Sequence, residues 1–423
     1  MIRILEMDKL SVADVLNRKI EDYAEYEKTV REILAKVRAE GDAALKYYAA
    51  KFDKCVPEVL EVSEEEKKDA WKSVSEEYKA MLGRAAENIA EFHRLQLREG
   101  FELRRADGTV MGQKFTPIAK AGIYVPGGTA SYPSTVLMNA IPAKVAGVGE
   151  IVMATPPCAD GKVRAEILVA AKIAGVDRVF KIGGAGAVAA LAYGTESVPA
   201  VDKITGPGNI FVALAKKEVF GTVGIDMVAG PSEILVIADS STKASTVAAD
   251  LLSQAEHDKL ASAVLVTPDR KLANGVAHEI EIQLDKLPRK EIARASVENC
   301  SKIIIVKDIE EAVSVSNEIA PEHLELCVEN PLALLDKIKN AGSIFLGNST
   351  PEAAGDYYAG PNHTLPTGGS ARFSSPLSVD DFVKKSSYLC YSDKGFRRAI
   401  NDIVMFAESE GLTAHARSAE ARR

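Results

Sequence analysis

The stretch Arg178-Val-Phe-Lys-Ile-Gly-Gly-Ala-Gly-Ala-Val-Ala189 combines an apolar strand, a glycine turn and the start of a helix. Gly184, Gly186 and Ala189 match the G-x-G-x-x-A pattern of dinucleotide sites, and Asp202 follows at a distance that suits the acidic residue of such sites. Small residues are also common at strand-to-helix turns for reasons of packing alone. The stretch therefore predicts one unit of a parallel α/β fold, and it leaves a dinucleotide site and an ordinary tight turn both open.

The same alternation of apolar strands and helical stretches extends from about residue 119 towards the C-terminus. Short apolar runs that predict further strands lie at residues 121–125, 151–154, 234–238, 263–266, 303–306 and 343–346. Helices that alternate with strands favour parallel sheets covered by helices on both faces. The strands suffice for two such units in tandem, and 423 residues exceed the size of one ordinary core.

The parts of the chain that flank this alternation have a different character. Residues 12–50 and 62–98 are charged with a helical period, which predicts solvated helices over the scaffold. Asp107-Gly108, between two short apolar segments, predicts a β-hairpin. Beyond Ser374 we expect a polar loop, one helix near residues 396–409 and a short tail that packs on a neighbouring subunit or frays.

Composition limits the classes of partner. The net charge is −8 and the pI is near 5.5, which argues against nucleic acid or an anionic membrane as the main partner. No apolar run approaches the length of a membrane span, and the N-terminus does not resemble a signal peptide. The five cysteines are scattered and form no C-x-x-C, which predicts reduced thiols and a cytoplasmic protein.

Gln254 and His257 are candidate metal ligands. The alanine-rich run at residues 244–252 predicts an amphipathic helix that continues through both, so their side chains would leave one face. An amide oxygen and an imidazole that project together can form half of a divalent-metal site. A solvated helix end explains the same two residues, and their spacing alone leaves both interpretations open.

The chain has six histidines, so the setting of each is informative. His93 and His278 lie in charged helical stretches and are expected at the surface. Glu322-His323 follows a proline at the start of an apolar strand, where the carboxylate could activate water and the imidazole could carry protons. A pair at the edge of a strand with no chemical role is the alternative.

Several loops have the composition of functional segments. Asp356 and His363 lie in a long stretch rich in glycine, proline and polar residues, which is typical of an ordered loop with a function. Glycine- and proline-containing turns occur at residues 124–128, 206–209 and 230–233. Each is either an ordinary turn or a set of exposed amides at the carboxyl end of a strand, where α/β sheets bind ligands.

Cys327 lies close to His323 and could act as a nucleophile. An aldehyde dehydrogenase-like oxidoreductase that uses this cysteine is therefore one alternative function. On a strand of apolar residues, however, a cysteine more often fills space in the core.

Motifs in a fixed order run along the chain from residue 119 to residue 415. They are Gly-Ile-Tyr124-Val-Pro-Gly-Gly, Gly-Pro-Gly-Asn209, Ala-Gly-Pro-Ser232-Glu, Gln254-Ala-Glu-His257-Asp, Pro-Glu322-His323-Leu-Glu, Gly-Asp356-Tyr-Tyr-Ala-Gly-Pro-Asn-His363-Thr-Leu-Pro-Thr and Glu410-Gly-Leu-Thr-Ala-His415. Together they resemble the histidinol dehydrogenase family, and chance agreement of so many is negligible. The resemblance implies a four-electron oxidation of L-histidinol to L-histidine through bound L-histidinal with two NAD, the final steps of histidine biosynthesis.

The resemblance also implies roles for individual residues. It implies Glu322 and His323 as the catalytic acid–base pair. It implies one zinc ion per subunit of a homodimer with shared active sites, held by Gln254, His257, Asp356 and, from the other subunit, His415. The side chains implied to contact substrate are Ser232, Gln254, His257, His323, Asp356, Glu410 and His415. The residues implied at the NAD site are Tyr124, Gly186 and Asn209.

The family fold has two incomplete Rossmann-like domains, one inserted in the other. The expected division begins with an N-terminal extension at residues 1–19. The first domain, with the metal and catalytic residues, is expected at residues 20–123 and 233–380. The second domain, on the NAD side, is expected at residues 124–232, and a C-terminal tail at residues 381–423 is expected to contact the partner subunit.

One position departs from the family pattern. Gly186 stands where the family usually has glutamine in a Gly-Gly-Ala-Gln turn, and this glycine creates the dinucleotide-like pattern described above. The missing amide predicts weaker NAD binding, with water or bare backbone in its place.

A second alternative function, from a different class, is a non-catalytic ligand-binding paralogue that kept the fold.

Overall fold

The computed structural model describes residues 1–9, 23–53, 55–127 and 131–423. The strands are β1 (Arg3–Glu6), β2 (Phe101–Arg104), β3 (Val110–Pro117), β4 (Lys120–Tyr124), β5 (Glu150–Thr155), β6 (Arg178–Lys181), β7 (Lys203–Thr205), β8 (Gly224–Ile225), β9 (Glu233–Ala238), β10 (Ser262–Thr267), β11 (Lys302–Ile305), β12 (His323–Cys327), β13 (Ser343–Leu346) and β14 (Val383–Cys390). The α-helices are α1 (Ala24–Glu40), α2 (Asp42–Tyr48), α3 (Glu64–Ser73), α4 (Glu76–Arg94), α5 (Pro133–Ala146), α6 (Ala165–Ala174), α7 (Gly184–Tyr193), α8 (Ile210–Val219), α9 (Ala244–Ala255), α10 (Arg270–Leu284), α11 (Lys290–Asn299), α12 (Ile309–Ile319), α13 (Glu352–Ala354), α14 (Asp393–Ser409) and α15 (Thr413–Glu420). Short 3-10 or π-helical turns lie at Met7–Lys9, Ala49–Asp53, Pro331–Lys337, Gly355–Ala359, Ser370–Arg372 and Val379–Phe382.

A six-stranded sheet has the order β1-β11-β10-β9-β12-β13, and each neighbouring pair is parallel. Successive residues of a strand enter apolar clusters on opposite faces of this sheet. Val236 and Leu265 belong to one cluster, and Ile237 and Val266 belong to the other. Because both faces are buried, these strands appear in the sequence as continuous apolar runs.

The amino ends of β9 and β12 lie side by side at one edge of this sheet, where His323 is in register with Ile234. Ser232 directly precedes β9 and therefore lies at the same edge. The 230–233 turn thus leads into the amino end of a strand. Of the two interpretations left open for this turn, the one with amides at the carboxyl end of a strand is therefore wrong.

A five-stranded parallel sheet has the order β6-β5-β4-β7-β8. Strands are added on one side of β4 and then, from β7 onward, on the other side. The carboxyl ends of β4 and β7 therefore flank the crevice in which open α/β sheets bind ligands. Helices α1 and α2 pack on this sheet through Val30, Leu34 and Leu45, which share an apolar cluster with Val188 of α7 and Leu214 of α8.

A third, antiparallel sheet has the order β14-β3-β2. The hairpin predicted at Asp107-Gly108 is confirmed as β2 and β3. The polar loop expected beyond Ser374 is wrong over Val383–Cys390, which form β14 along the whole of β3. The side chains of β14 are almost all exposed, so backbone pairing defines this strand without an apolar pattern. The tail, expected either to pack on a neighbouring subunit or to fray, forms α15.

The prediction of an α/β fold with parallel sheets flanked by helices is confirmed. Each predicted apolar run from residue 119 onward coincides with a strand. The helices predicted at residues 12–50 and 62–98 are confirmed outside residues 10–22, which lie outside the described residues. The division into domains at particular residues stays a prediction. No helix in the described ranges has the length and apolar character that a membrane crossing requires.

Candidate active site

Glu322 and His323 lie at the amino end of β12, and both are held by Glu233, the first residue of β9. Glu322 Oε2 accepts a hydrogen bond from Glu233 N at 2.9 Å. His323 Nδ1 lies 3.1 Å from Glu233 O, and because a carbonyl oxygen can only accept, Nδ1 carries the hydrogen in this contact. The two side chains are 7% and 4% exposed. Neighbouring strands of one sheet therefore fix the position of both catalytic candidates.

The other imidazole nitrogen, His323 Nε2, is buried and has no hydrogen-bond partner among the described residues. It lies 3.6 Å from Asp356 Oδ1 and 3.7 Å from Glu352 Oε1. Phe345 packs against the face of the ring, with centroids 6.1 Å apart. With the hydrogen on Nδ1, Nε2 is the atom of this side chain that can take up a proton.

The pKa values of the pair reflect their surroundings. Burial raises the pKa of Glu322 to about 8, against the opposing charge of His323. Burial lowers the pKa of His323, but the nearby carboxylates of Glu352, Glu322 and Asp356 outweigh burial and hold its pKa well above the usual value. A cation among these carboxylates would offset their charge and favour the neutral imidazole, which is the form that can act as a base.

Three of the four predicted metal ligands surround this pair. Gln254, in the last turn of α9, is 0% exposed, and its Nε2 lies 3.4 Å from His323 Nδ1. Its Oε1 is buried without a hydrogen-bond partner in the described part of the chain, which is unusual for an amide oxygen. Asp356 lies in the Gly355–Ala359 π-helical turn, and its contact with His323 lowers the pKa of this carboxyl despite its burial.

The sequence predicted that His257 lies on the same helix as Gln254, and this prediction is wrong. Helix α9 ends at Ala255, and His257 follows in a turn whose backbone N–H donates to Gln254 O at 3.1 Å. Its side chain reaches the solvent, yet desolvation by the surrounding protein lowers its pKa, while Asp356 raises it and His323 lowers it further. The imidazole of His257 therefore lies close enough to Asp356 and His323 for their charges to affect its pKa.

An amide oxygen, an imidazole and a carboxylate are donors suited to a divalent cation, and the unpartnered Gln254 Oε1 is the observation that favours one. The fourth predicted ligand, His415, lies on α15, and Glu410 lies in the turn before it. Both side chains are exposed. Neither belongs to the buried group that Asp356 forms with His323 and Glu352.

The sequence interpretation did not include Glu352. This residue is 3% exposed, and its Oε2 has no hydrogen-bond partner among the described residues. Burial raises the pKa of Glu352 to about 7. Glu352 and Asp356 are four residues apart on consecutive helical turns, and this spacing was a usable signal for two carboxylates on one face.

His93 is fully buried, so the expectation of a surface position is wrong. Its Nδ1 lies 2.7 Å from Gln96 Oε1, and its Nε2 lies 3.4 Å from Asn362 Nδ2. Asn362 also donates to Met138 O at 2.6 Å. His93 thus anchors the long polar loop next to His363, whose Nδ1 lies 3.1 Å from Asp356 O.

A cavity of about 660 Å³ lies at the carboxyl edge of the five-stranded sheet, and Tyr124, Gly186 and Asn209 all line it. Tyr124 is 4% exposed, and its hydroxyl oxygen accepts a hydrogen bond from Gly184 N at 3.1 Å. Burial raises the pKa of Tyr124 to about 12, so the phenol stays neutral and its hydrogen can be donated to a ligand. The three residues predicted at the NAD site therefore share one ligand-sized cavity.

Asn209 and Gly186 differ in what they offer to a ligand. Asn209 Oδ1 caps α8 by accepting from Phe211 N at 3.1 Å and Val212 N at 3.3 Å, so its Nδ2 group is the part that remains to donate. A Cβ atom at Gly186 would meet Leu45 Cδ2 at 3.6 Å, which is an ordinary contact. A larger side chain therefore has room to begin at this position.

Cys327 does not have the surroundings of a nucleophile. It is 3% exposed, and its thiol donates to Glu325 Oε2 at 3.9 Å. Burial, and then the charge of Glu325, raise the pKa of this thiol, whereas a catalytic cysteine needs a lowered pKa. The structure thus disfavours the alternative of an aldehyde dehydrogenase-like enzyme that uses Cys327.

The chain combines a buried acid–base pair, donors suited to a metal, and a ligand cavity at the switch point of a parallel sheet, which are features expected of an NAD-linked oxidoreductase. Comparison with known proteins identifies the member of this class. The family model for histidinol dehydrogenase matches residues 16–423, and the chain belongs to this family.

Relatives and a solved structure agree with this assignment. The chain is 55% identical to a histidinol dehydrogenase of Clostridium acetobutylicum over 96% of this chain and 94% of that protein. It is 52% identical to a histidinol dehydrogenase of Geobacillus kaustophilus over 99% of both chains. The crystal structure of histidinol dehydrogenase from Elizabethkingia anophelis superposes with a TM-score of 0.95 at 39% identity, covering 100% of this chain and 98% of that one. These matches do not favour either alternative function.

Proposed function

We propose that this chain oxidises L-histidinol to L-histidine in two successive steps at one site, through L-histidinal that stays bound. The family to which the chain belongs uses NAD and zinc. The observation that carries the proposal is that one residue, Glu233, positions both Glu322 and His323. Its backbone N–H and C=O hold the two side chains beside a group of potential metal ligands. A buried acid–base pair fixed in this way suits repeated proton transfer at one position.

In the first step, His323 Nε2 takes the proton of the substrate alcohol. NAD, held by Tyr124 and Asn209, would supply the hydride acceptor for each of the two steps. The aldehyde must then add water before a second hydride can leave, and the carboxylate of Glu322 takes a proton from that water. His323 gives its proton to the aldehyde oxygen as water adds, and it then takes a proton from the hydrate as base, whereas Glu322 takes its proton from water.

Gln254, His257 and Asp356, with His415 of the partner subunit, would hold the zinc ion. Bound zinc would supply positive charge that orients the imidazole and amino groups of the substrate. Ser232 lies next to Glu233 at the same sheet edge, where it suits a substrate contact. Glu410 would reach the substrate from the partner subunit along with His415.

The exposed C-terminal part supports a homodimer. Leu389 of β14 is 60% exposed, and Met405 and Phe406 of α14 are each 68% exposed. Large apolar side chains that are exposed together mark surfaces that another molecule covers. His415 and Glu410 belong to the same exposed segment, so a second copy seated there would bring both residues to its partner's site.

On the cofactor side, we assign the cavity lined by Tyr124, Gly186 and Asn209 to NAD. The hydroxyl of Tyr124 and the Nδ2 group of Asn209 would donate to the dinucleotide.

We also propose the cytoplasm as the location of the enzyme. In support, none of the five cysteines, all of which lie within the described residues, is in a disulfide.

The yield of NADH tests this function most simply. With limiting L-histidinol and excess NAD, the zinc-loaded protein should form two NADH per histidinol, with histidine as the product. One NADH per histidinol would indicate a simple alcohol dehydrogenase and overturn the two-step proposal. No NADH from protein that has bound zinc would favour the non-catalytic paralogue.

A further inference from the structure

A buried ion pair joins Lys216 of α8 and Asp226, which follows β8. The two side chains are 2% and 1% exposed, and Lys216 Nζ contacts Asp226 Oδ1 directly. Replacing a buried ion pair by apolar residues is often neutral or stabilising, because the charges lose their hydration. Its presence here therefore calls for a role in geometry as well as in stability.

The pair holds both polar groups of one residue, Gly206. Asp226 Oδ2 accepts from Gly206 N at 2.8 Å, and Lys216 Nζ donates to Gly206 O at 2.9 Å. Gly206 has a φ of +114°, and a Cβ atom there would lie 2.1 Å from Tyr124 O. The backbone of Gly206 is thus pressed against the end of β4 in a conformation that favours glycine.

The segment from Gly206 to Asn209 connects the end of β7 to the start of α8. It therefore sets where Asn209 stands in relation to Tyr124, and both residues line the cavity at the switch point of the sheet. Lys216 and Asp226 themselves do not line that cavity. Their hydrogen bonds to Gly206 connect them to the cavity through the position of this segment.

We propose that Lys216 and Asp226 are positioning residues for the dinucleotide site, which they act on by fixing Gly206 against Tyr124. This inference rests on the proposed function, because it takes the cavity to be the NAD site. It predicts that loss of the pair weakens NAD binding while the chemistry at Glu322 and His323 continues.

The test variant is Lys216→Met combined with Asp226→Asn, which removes both charges together and keeps an acceptor for Gly206 N. The matched control is Lys203→Met with Asp381→Asn. Lys203 lies on β7 in the same sheet, and its Nζ is 2.9 Å from Asp381 Oδ1 and 2.8 Å from Asp381 O. For the test variant we expect the KM and Kd for NAD to rise about tenfold or more, with kcat within about threefold of wild type. Zinc content and the KM for histidinol should stay unchanged, as should all values for the control.

An NAD Kd within twofold of wild type in the folded test variant would overturn the proposal, as would an equal rise in the control. If the double variant does not fold, Lys216→Met alone removes the bond to Gly206 O, while Asp226 still accepts from Gly206 N. That variant should raise the NAD Kd at least threefold, and an unchanged Kd would again overturn the proposal. Titration of wild-type protein with NAD separates the two levels, because absence of binding there contradicts the proposed function itself.

Discussion

Glu322 and His323 are neighbours in the chain, yet one is held by the backbone N–H of Glu233 and the other by its backbone C=O. Glu322 Oε2 accepts from Glu233 N, whereas His323 Nδ1 donates to Glu233 O, and the two side-chain atoms are 3.8 Å apart. The carboxylate and the imidazole are therefore held separately and do not form a hydrogen-bonded dyad. Two groups that are held separately can move two different protons, one from the alcohol and one from water.

Glu322→Gln should stall the conversion of aldehyde to acid much more than the oxidation of alcohol to aldehyde. Glutamine can still accept from Glu233 N but cannot take a proton from water, so we expect the second step to slow by about 10²- to 10³-fold. Presteady-state traces of NADH formation with histidinol and with histidinal separate the two steps. Equal losses in both steps would contradict a role for Glu322 limited to water activation.

The aldehyde step should also depend on pH in a particular direction. Burial raises the pKa of Glu322 to about 8, so this carboxyl is largely protonated at neutral pH and cannot act as a base. The rate with histidinal should rise from pH 6 through pH 8 and level off only above about pH 9, since only the deprotonated form works. Glu322→Gln serves as the control, because it should remove this rise. A flat profile for wild type over that range would contradict a catalytic base with this raised pKa.

Much of the fold could be predicted because strands buried on both faces must be apolar throughout. Val236 and Ile237 are adjacent in β9, point to opposite faces and are both 0% exposed. The same logic fails for β14, where the backbone pairs with β3 while Lys384, Lys385 and Tyr388 face solvent. Hydrogen bonds between strands leave no trace in the choice of such side chains.

The candidate site was less predictable, since it depends on contacts between distant segments. His93 lies in a charged helix, and only the polar loop that packs over it makes it buried. Glu352 belongs to the candidate site only because the fold places it opposite His323, 29 residues earlier in the chain, across the amino edge of a sheet. His257 leaves the predicted helix because α9 ends at Ala255. The roles of the other site residues could be predicted only from the resemblance to a family, because the spacing of these residues in the sequence fits several interpretations.

Mixing two inactive variants tests whether sites are shared between subunits. In a dimer of His415→Ala with Glu322→Ala, one site lacks both residues and the other has both. Random exchange of subunits should therefore restore about a quarter of wild-type activity. The matched control mixes Glu322→Ala with His323→Ala, which lie in the same site of one chain and should restore nothing. Absence of recovery in verified heterodimers would place His415 in its own subunit's site or outside any site.

Restoring glutamine at Gly186 should tighten NAD binding. The position lines the cavity and has room for a Cβ atom, and one added hydrogen bond corresponds to about three- to tenfold in affinity. Gly186→Leu is the control, because it adds similar bulk without a polar group. NAD affinity that is unchanged or weaker in Gly186→Gln, as measured by titration, would show that the missing amide has no part in binding.

In the proposed metal site, distant segments of two chains converge on one cation. Crystals of the zinc-loaded protein, measured on both sides of the zinc absorption edge, test it most directly. We expect one anomalous peak per subunit, surrounded by Gln254, His257, Asp356 and His415 of the partner subunit. A map with no peak at that position, or with a peak ligated elsewhere in the chain, would contradict it.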